Sequence, residues 1–170
     1  GVEAASRAGI DTIEHGTYLD EAAANEMKKN GTVLIPTLMA FQGVTERLGK
    51  GIYTPVVEEK IRAVAETARV FMGKAMRWGV PIAFGTDAGV FGHGRNAGEF
   101  ALMVAQGMGH REAFATATTN AAKVLGMENE IGRIAPGYSA DLIAIDGNPL
   151  EDTATLENVG WVMVRGRVID

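Results

Sequence analysis

The sequence predicts an α/β fold in which parallel strands alternate with helices, followed by a small β module. Three observations carry this. Short strand-like apolar runs recur at residues 10–15, 32–37 and 80–84, each preceded by a helix-forming segment that closes on Gly9, Gly31 or Gly79. Two of these runs lead to an ionisable side chain: His15 in Ile13-Glu-His-Gly16, and Asp87 in Ala83-Phe-Gly-Thr-Asp-Ala-Gly89. Beyond residue 127 short strands appear, punctuated by Pro-Gly, Gly-Asn-Pro and Arg-Gly.

Residues 1–8 have helical composition and stop at Gly9, just before a strand through His15. Asp20 offers an N-cap for a helix over 21–30, which has acids in its first turn, lysines in its last and Gly31 behind it. The run 32–37 is rich in β-branched residues and nearly continuous in hydrophobicity, as suits a parallel strand covered on both faces; it ends at Pro36. From there to Thr54 there are three glycines and no clean period, so a long connection covering a site is expected. Pro55 opens one long helix reaching Trp78, with apolar residues at three-and-four spacing. A third strand over 80–84 leads into the glycine-rich loop 85–96, and helices follow over 97–106 and 111–125. That makes about three βα units, too few to close a barrel of eight.

Composition narrows the function classes. With 46% hydrophobic and 22% charged residues, the chain can bury a sizeable core. A net charge of −5 and the lack of a long basic run argue against nucleic acid as partner. No apolar run reaches the ~20 residues that a membrane helix needs. The absence of cysteine leaves His, Asp and Glu as metal ligands. The chain opens on Gly1 directly in helical composition with no cap ahead of it. A truncated chain is therefore expected; a cytoplasmic location is favoured, although the N-terminus that would carry a signal peptide is absent.

In barrels of alternating strand and helix, the C-terminal strand ends form the active face, so His15 and Asp87 can converge there on one cation. On residues alone, a turn aspartate and a backbone-bonded core histidine are the commoner readings of such positions. Strand alternation points Glu14 away from His15, as a structural group. His93, Arg95 and Asn96, shortly after Asp87, are candidates to bind a polar or anionic end of a substrate, Arg by bidentate pairing; a solvated loop is the alternative. Tyr18 and Thr37 follow strands and are further candidates for substrate contact. His110 reads as a surface or capping residue.

Four runs in order, Ile13-Glu-His-Gly16, Ala83-Phe-Gly-Thr-Asp-Ala-Gly89, Ala117-Thr-Thr-Asn-Ala-Ala-Lys-Val-Leu-Gly126 and Pro136-Gly-Tyr-Ser-Ala-Asp-Leu-Ile-Ala-Ile-Asp-Gly-Asn-Pro-Leu150, resemble the second half of the amidohydrolase superfamily. The resemblance is to its prolidase-like and imidazolonepropionase-like members. It implies a (β/α)₈ TIM-type barrel with one or two divalent metals, usually zinc, flanked by a β-sandwich. Residues 1–127 would then be the last three βα units of the barrel, and 128–170 strands of the sandwich. By the same resemblance His15, from the sixth barrel strand, binds metal, and Asp87, from the eighth, contacts metal and shuttles the proton. The first-strand His-x-His, the fourth-strand lysine and the fifth-strand His have no counterpart here and are expected upstream of Gly1.

Catalytic zinc normally takes about three protein ligands, so the isolated chain is expected to be inactive and to require the missing N-terminal half. The implied activity is hydrolysis of C–N bonds in dipeptides or other small molecules, by a dipeptidase or carboxypeptidase-like enzyme, with a homo-oligomer among the expected assemblies. The alternatives are a cyclic amidohydrolase or deaminase on the same scaffold, and a catalytically silent binding module.

Overall fold

The architecture comes from a computed structural model, which describes residues 1–169. Helix α1 (Val2–Arg7) is followed by Gly9 at φ 87°, and strand β1 (Thr12–Glu14) begins three residues later. Helix α2 (Glu21–Asn30) has the ends its sequence predicts. Asp20 accepts a hydrogen bond from the Ala23 amide at 2.8 Å, and Gly31 takes the left-handed conformation that closes the helix. Strand β2 (Val33–Ile35) pairs parallel with β1, Thr12 opposite Val33 and Glu14 opposite Ile35. Met27, Leu34, Phe71, Met72 and Met103 are buried and form the centre of the core.

The third strand expected over 80–84 is reduced to a single parallel bridge, Leu34 to Ile82. Pro81 has no N–H, so only its carbonyl joins the ladder, accepting from the Leu34 amide at 2.9 Å, while the Ala83 amide donates to the Leu34 carbonyl at 3.0 Å. On the outer side no strand among the described residues pairs with it. Its groups are met from helical residues instead: the Phe84 amide donates to the Thr116 carbonyl, and Asn120 Nδ2 donates to the Ile82 carbonyl. A sheet edge is thereby covered by helix.

The connection expected after Pro36 instead contains helix α3 (Leu38–Thr45), whose Leu38, Met39 and Ala40 are buried. The single helix expected over 55–78 is two, α4 (Pro55–Ala68) and α5 (Phe71–Arg77). A side chain far along the chain serves both sides of the break. Gln106 Oε1 accepts from the Met72 and Gly73 amides, and its Nε2 donates to the Ala68 carbonyl at 2.9 Å. Helices α6 (Gly98–Ala105), α7 (His110–Ala115) and α8 (Ala121–Val124) follow, with one π turn, Thr116–Asn120, between the last two. Thr116 and Thr118 hydroxyls donate back to the Ala113 and Phe114 carbonyls there, the kind of back-bonding that bends a helix.

Strands β3 (Leu142–Ile145), β4 (Val159–Val164) and β5 (Arg167–Ile169) form an antiparallel sheet in that order. Arg165 and Gly166, both at positive φ, make the tight β4–β5 turn. Leu156, in the 3₁₀ turn Thr153–Glu157, is buried in the main core cluster. His110 Nδ1 accepts from the Thr153 amide at 3.1 Å, so its role is to cap that turn. Among the described residues no helix is long and apolar enough to cross a membrane.

Candidate active site

The parallel register brings three chain reversals to one rim. The His15 amide donates to the Ile35 carbonyl at 2.9 Å, which sets His15 level with the end of β2. The bridge between Leu34 and Ile82 sets the start of the Asp87 loop on the same side. Two strand spacings, about 10 Å, separate the outer backbones. The approach is close because glycine stands in two places: a Cβ on Gly16 would meet Leu34 Cδ1 at 2.5 Å, and one on Gly85 would collide with Ile35 Cγ2.

All three reversals use left-handed backbone without glycine: His15 at φ 65°, Thr37 at 49° and Asp87 at 54°. Such residues are strained, by roughly 1–2 kcal/mol each, and strain of this kind gathers where side chains must be aimed. The only other non-glycine residue at positive φ among the described residues is Arg165, in the hairpin turn.

His15 is exposed, with its ring held on two sides. Nδ1 lies 2.6 Å from Thr37 Oγ1, and the ring meets Phe41 edge-on at 6.0 Å. Thr37 Oγ1 also donates to the Pro36 carbonyl at 2.8 Å. A hydroxyl has one proton, so with that proton on the Pro36 carbonyl the ring must donate from Nδ1. His15 Nε2 then keeps its lone pair, which is the state a metal or a proton requires.

Thr37 precedes α3 but does not cap it with its own side chain. Glu99, in the first turn of α6, takes that place: Oε1 accepts from the Leu38 amide at 2.8 Å and Oε2 from the Met39 amide at 2.7 Å. Glu99 is completely buried. Burial pushes its carboxyl up to about 7 against the two amide donors, which favour the charged form.

Asp87 is exposed, and among the described residues its carboxylate enters no ion pair. His93, Arg95 and Asn96 are also exposed, on the loop that follows. Arg95 already has a partner: its two terminal nitrogens pair with both Glu46 oxygens, at 2.9 and 2.7 Å, and hold the Glu46 carboxyl down at about 2. Arg47 Nη2 donates to the Val90 carbonyl, so the loop is fastened twice to the end of α3. The Asn96 carbonyl accepts from the Glu99 amide. Tyr18 lies largely exposed, and Glu14 accepts from the Thr12 hydroxyl at 2.6 Å.

The donors fit a divalent metal in kind and fall short in number. An imidazole with a free nitrogen and an unpaired carboxylate are suitable ligands for zinc, but among the described residues no three His, Asp or Glu side chains gather into a metal-holding group. Within the chain, His15 and Asp87 offer two such donors on one rim.

A family-wide comparison matches the amidohydrolase family over residues 1–169. The chain belongs to that family. Its members are in general metal-dependent. The solved structure of a Xaa-Pro dipeptidase with bound methionine in its active site superposes with a TM-score of 0.94 at 42% identity, covering 99% of this chain and 42% of that one. Ochratoxinase of Aspergillus niger is 34% identical over 156 residues, 89% of this chain and 32% of its own length. Imidazolonepropionase of Shewanella oneidensis is 29% identical over 153 residues, 83% of this chain and 30% of its own length. The amidohydrolase chain therefore spans less than half the length of these relatives.

Sequence reasoning missed Glu99 and the link from Thr37 to His15. One signal was available for the first. Glu99 stands four residues before the buried Met103, on the inward face of an apolar helix, where an acid needs a partner.

Proposed function

We propose that this amidohydrolase chain is the C-terminal part of a metal-dependent hydrolase of C–N bonds, with dipeptide-like substrates, built on the last three βα units of a (β/α)₈ barrel. The observation that carries the reading is the pairing, on one rim of a parallel sheet, of His15 with a free Nε2 and Asp87 with a free carboxylate. The likeness to a Xaa-Pro dipeptidase at 42% identity supports the substrate class.

One or two divalent ions, zinc in the first instance, would supply Lewis acidity, lowering the pKa of water to about 7 and polarising the scissile carbonyl. His15 contributes Nε2 as a ligand, oriented by Thr37 and Phe41. Asp87 contributes a carboxylate oxygen, accepts the proton of the attacking water as its oxygen adds to the carbonyl carbon, and returns that proton to the departing nitrogen. His93, Arg95 and Asn96 would receive the polar end of the substrate, Arg95 by exchanging Glu46 for a substrate carboxylate. The remaining ligands would come from sequence outside these 170 residues.

A second reading, a cyclic amidohydrolase, is favoured by the likeness to imidazolonepropionase. The deciding experiment assays the full-length protein, loaded with zinc, against Xaa-Pro dipeptides and cyclic amides. Dipeptide turnover that is lost in Asp87→Asn supports the proposal; turnover of cyclic amides alone supports the second reading. Full activity in chelator-stripped protein would overturn both.

A further inference from the structure

Glu99 presents an energetic puzzle. It is wholly enclosed and, among the described residues, enters no ion pair. An apolar side chain there would pack without the penalty of burying an acid. The two amides it receives identify its role.

A threonine at a helix N-cap ordinarily turns its hydroxyl onto the second or third amide of the helix. Thr37 sits at that position in α3, in left-handed backbone, and makes no such bond. Its hydroxyl is turned instead to the Pro36 carbonyl and His15 Nδ1. The Leu38 and Met39 amides, left without a local acceptor, are taken one by each oxygen of Glu99, some sixty residues along the chain. A carboxylate from another helix thus does the capping that Thr37 would otherwise do, and the Thr37 hydroxyl remains available to the imidazole.

We propose that Glu99 is a positioning residue for His15: by capping α3 in place of Thr37, it reserves the Thr37 hydroxyl for the ring and keeps the ring proton on Nδ1. The inference rests on the reading of His15 Nε2 as a working ligand, and it deepens that reading by adding the buried acid behind it.

The test is made first in metal-free protein, so that it does not depend on activity. Two-bond proton–nitrogen correlation spectra of nitrogen-15-labelled intact chain report the His15 tautomer. Wild type is expected as the Nδ1–H form, and Thr37→Val is expected to lose that preference. Glu99→Gln, which fills the same space but offers one acceptor in place of two, and Glu99→Ala are expected to shift the ring toward the Nε2–H form. Met27→Ala, a core truncation remote from the relay, should leave the tautomer unchanged while lowering Tm. Glu99→Gln should also weaken zinc binding in the full-length protein by about 10- to 100-fold, the range typical for groups that orient a ligand. A wild-type tautomer in Glu99→Gln, alongside an altered one in Thr37→Val, would overturn the proposal and leave Glu99 a simple cap. Zinc that leaves the His15 ring resonances of the full-length protein unmoved would count against the site reading alone, because the metal-free comparison stands apart from it.

Discussion

His15 Nδ1 and Thr37 Oγ1 meet at 2.6 Å across the ends of two adjacent parallel strands, and both residues hold left-handed backbone to do so. The contact decides which ring nitrogen faces the rim. It also converts a threonine at a helix start from a cap into a support.

Replacing Thr37 therefore separates its hydroxyl from its shape. Thr37→Ser keeps the acceptor and should bind zinc in the full-length protein as wild type does. Thr37→Val is nearly isosteric and lacks the acceptor, so affinity should fall by about 10- to 100-fold. Competition against a chromophoric chelator measures both.

Asp87 is both strained and proposed to be catalytic, so stability and activity should move in opposite directions. Asp87→Gly relieves a left-handed φ of 54° and should raise the unfolding free energy by about 1 kcal/mol. The same substitution, like Asp87→Asn, should lower kcat of the full-length enzyme by about 10²- to 10⁴-fold. Urea melts and steady-state kinetics on the two variants check the pair.

Glu99 gives the fold a pH dependence of definite sign. Its carboxyl lies at about 7 when folded against an ordinary 4.5, so the folded state binds the extra proton between those values. This contribution to stability is complete below pH 4.5 and is lost as pH rises through 7, by about 3 kcal/mol in all. Glu99→Gln should flatten the fall in urea-melt stability between pH 5 and 8. An unchanged slope would show that the acid remains ionised throughout.

Glu46 works in the opposite direction and lower on the scale. Arg95 holds its carboxyl at about 2, so the stability it contributes is present above pH 4.5 and is lost as pH falls through 2. The pair lies at the surface, so solvent screening keeps that contribution small. Arg95→Lys breaks the two-pronged geometry and should speed amide exchange at Gly89 and Val90 more than it lowers Tm. If Arg95 receives the substrate, the same variant should raise KM for anionic dipeptides.

The sequence by itself determined the elements whose signals are local. Asp20 and Gly31 delimit α2 because a side-chain acceptor and a residue free to take positive φ act within one turn of the backbone they serve. The strand-like runs and the glycines at 16 and 85 likewise placed His15 and Asp87 at chain reversals, and the parallel register then set those reversals on one rim.

Only the tertiary structure decided what depends on partners distant in the chain. Helix α3 starts where it does because Glu99 receives its first amides, and α4 parts from α5 where Gln106 serves both sides of the break. The strand at 80–84 reduces to one bridge because Pro81 brings no donor and helical groups cover its outer edge. Arg95 belongs to Glu46, and His110 to Thr153. Each is a long-range bond that satisfies a polar group the local chain leaves open, and local periodicity carries no record of where along the chain that partner stands.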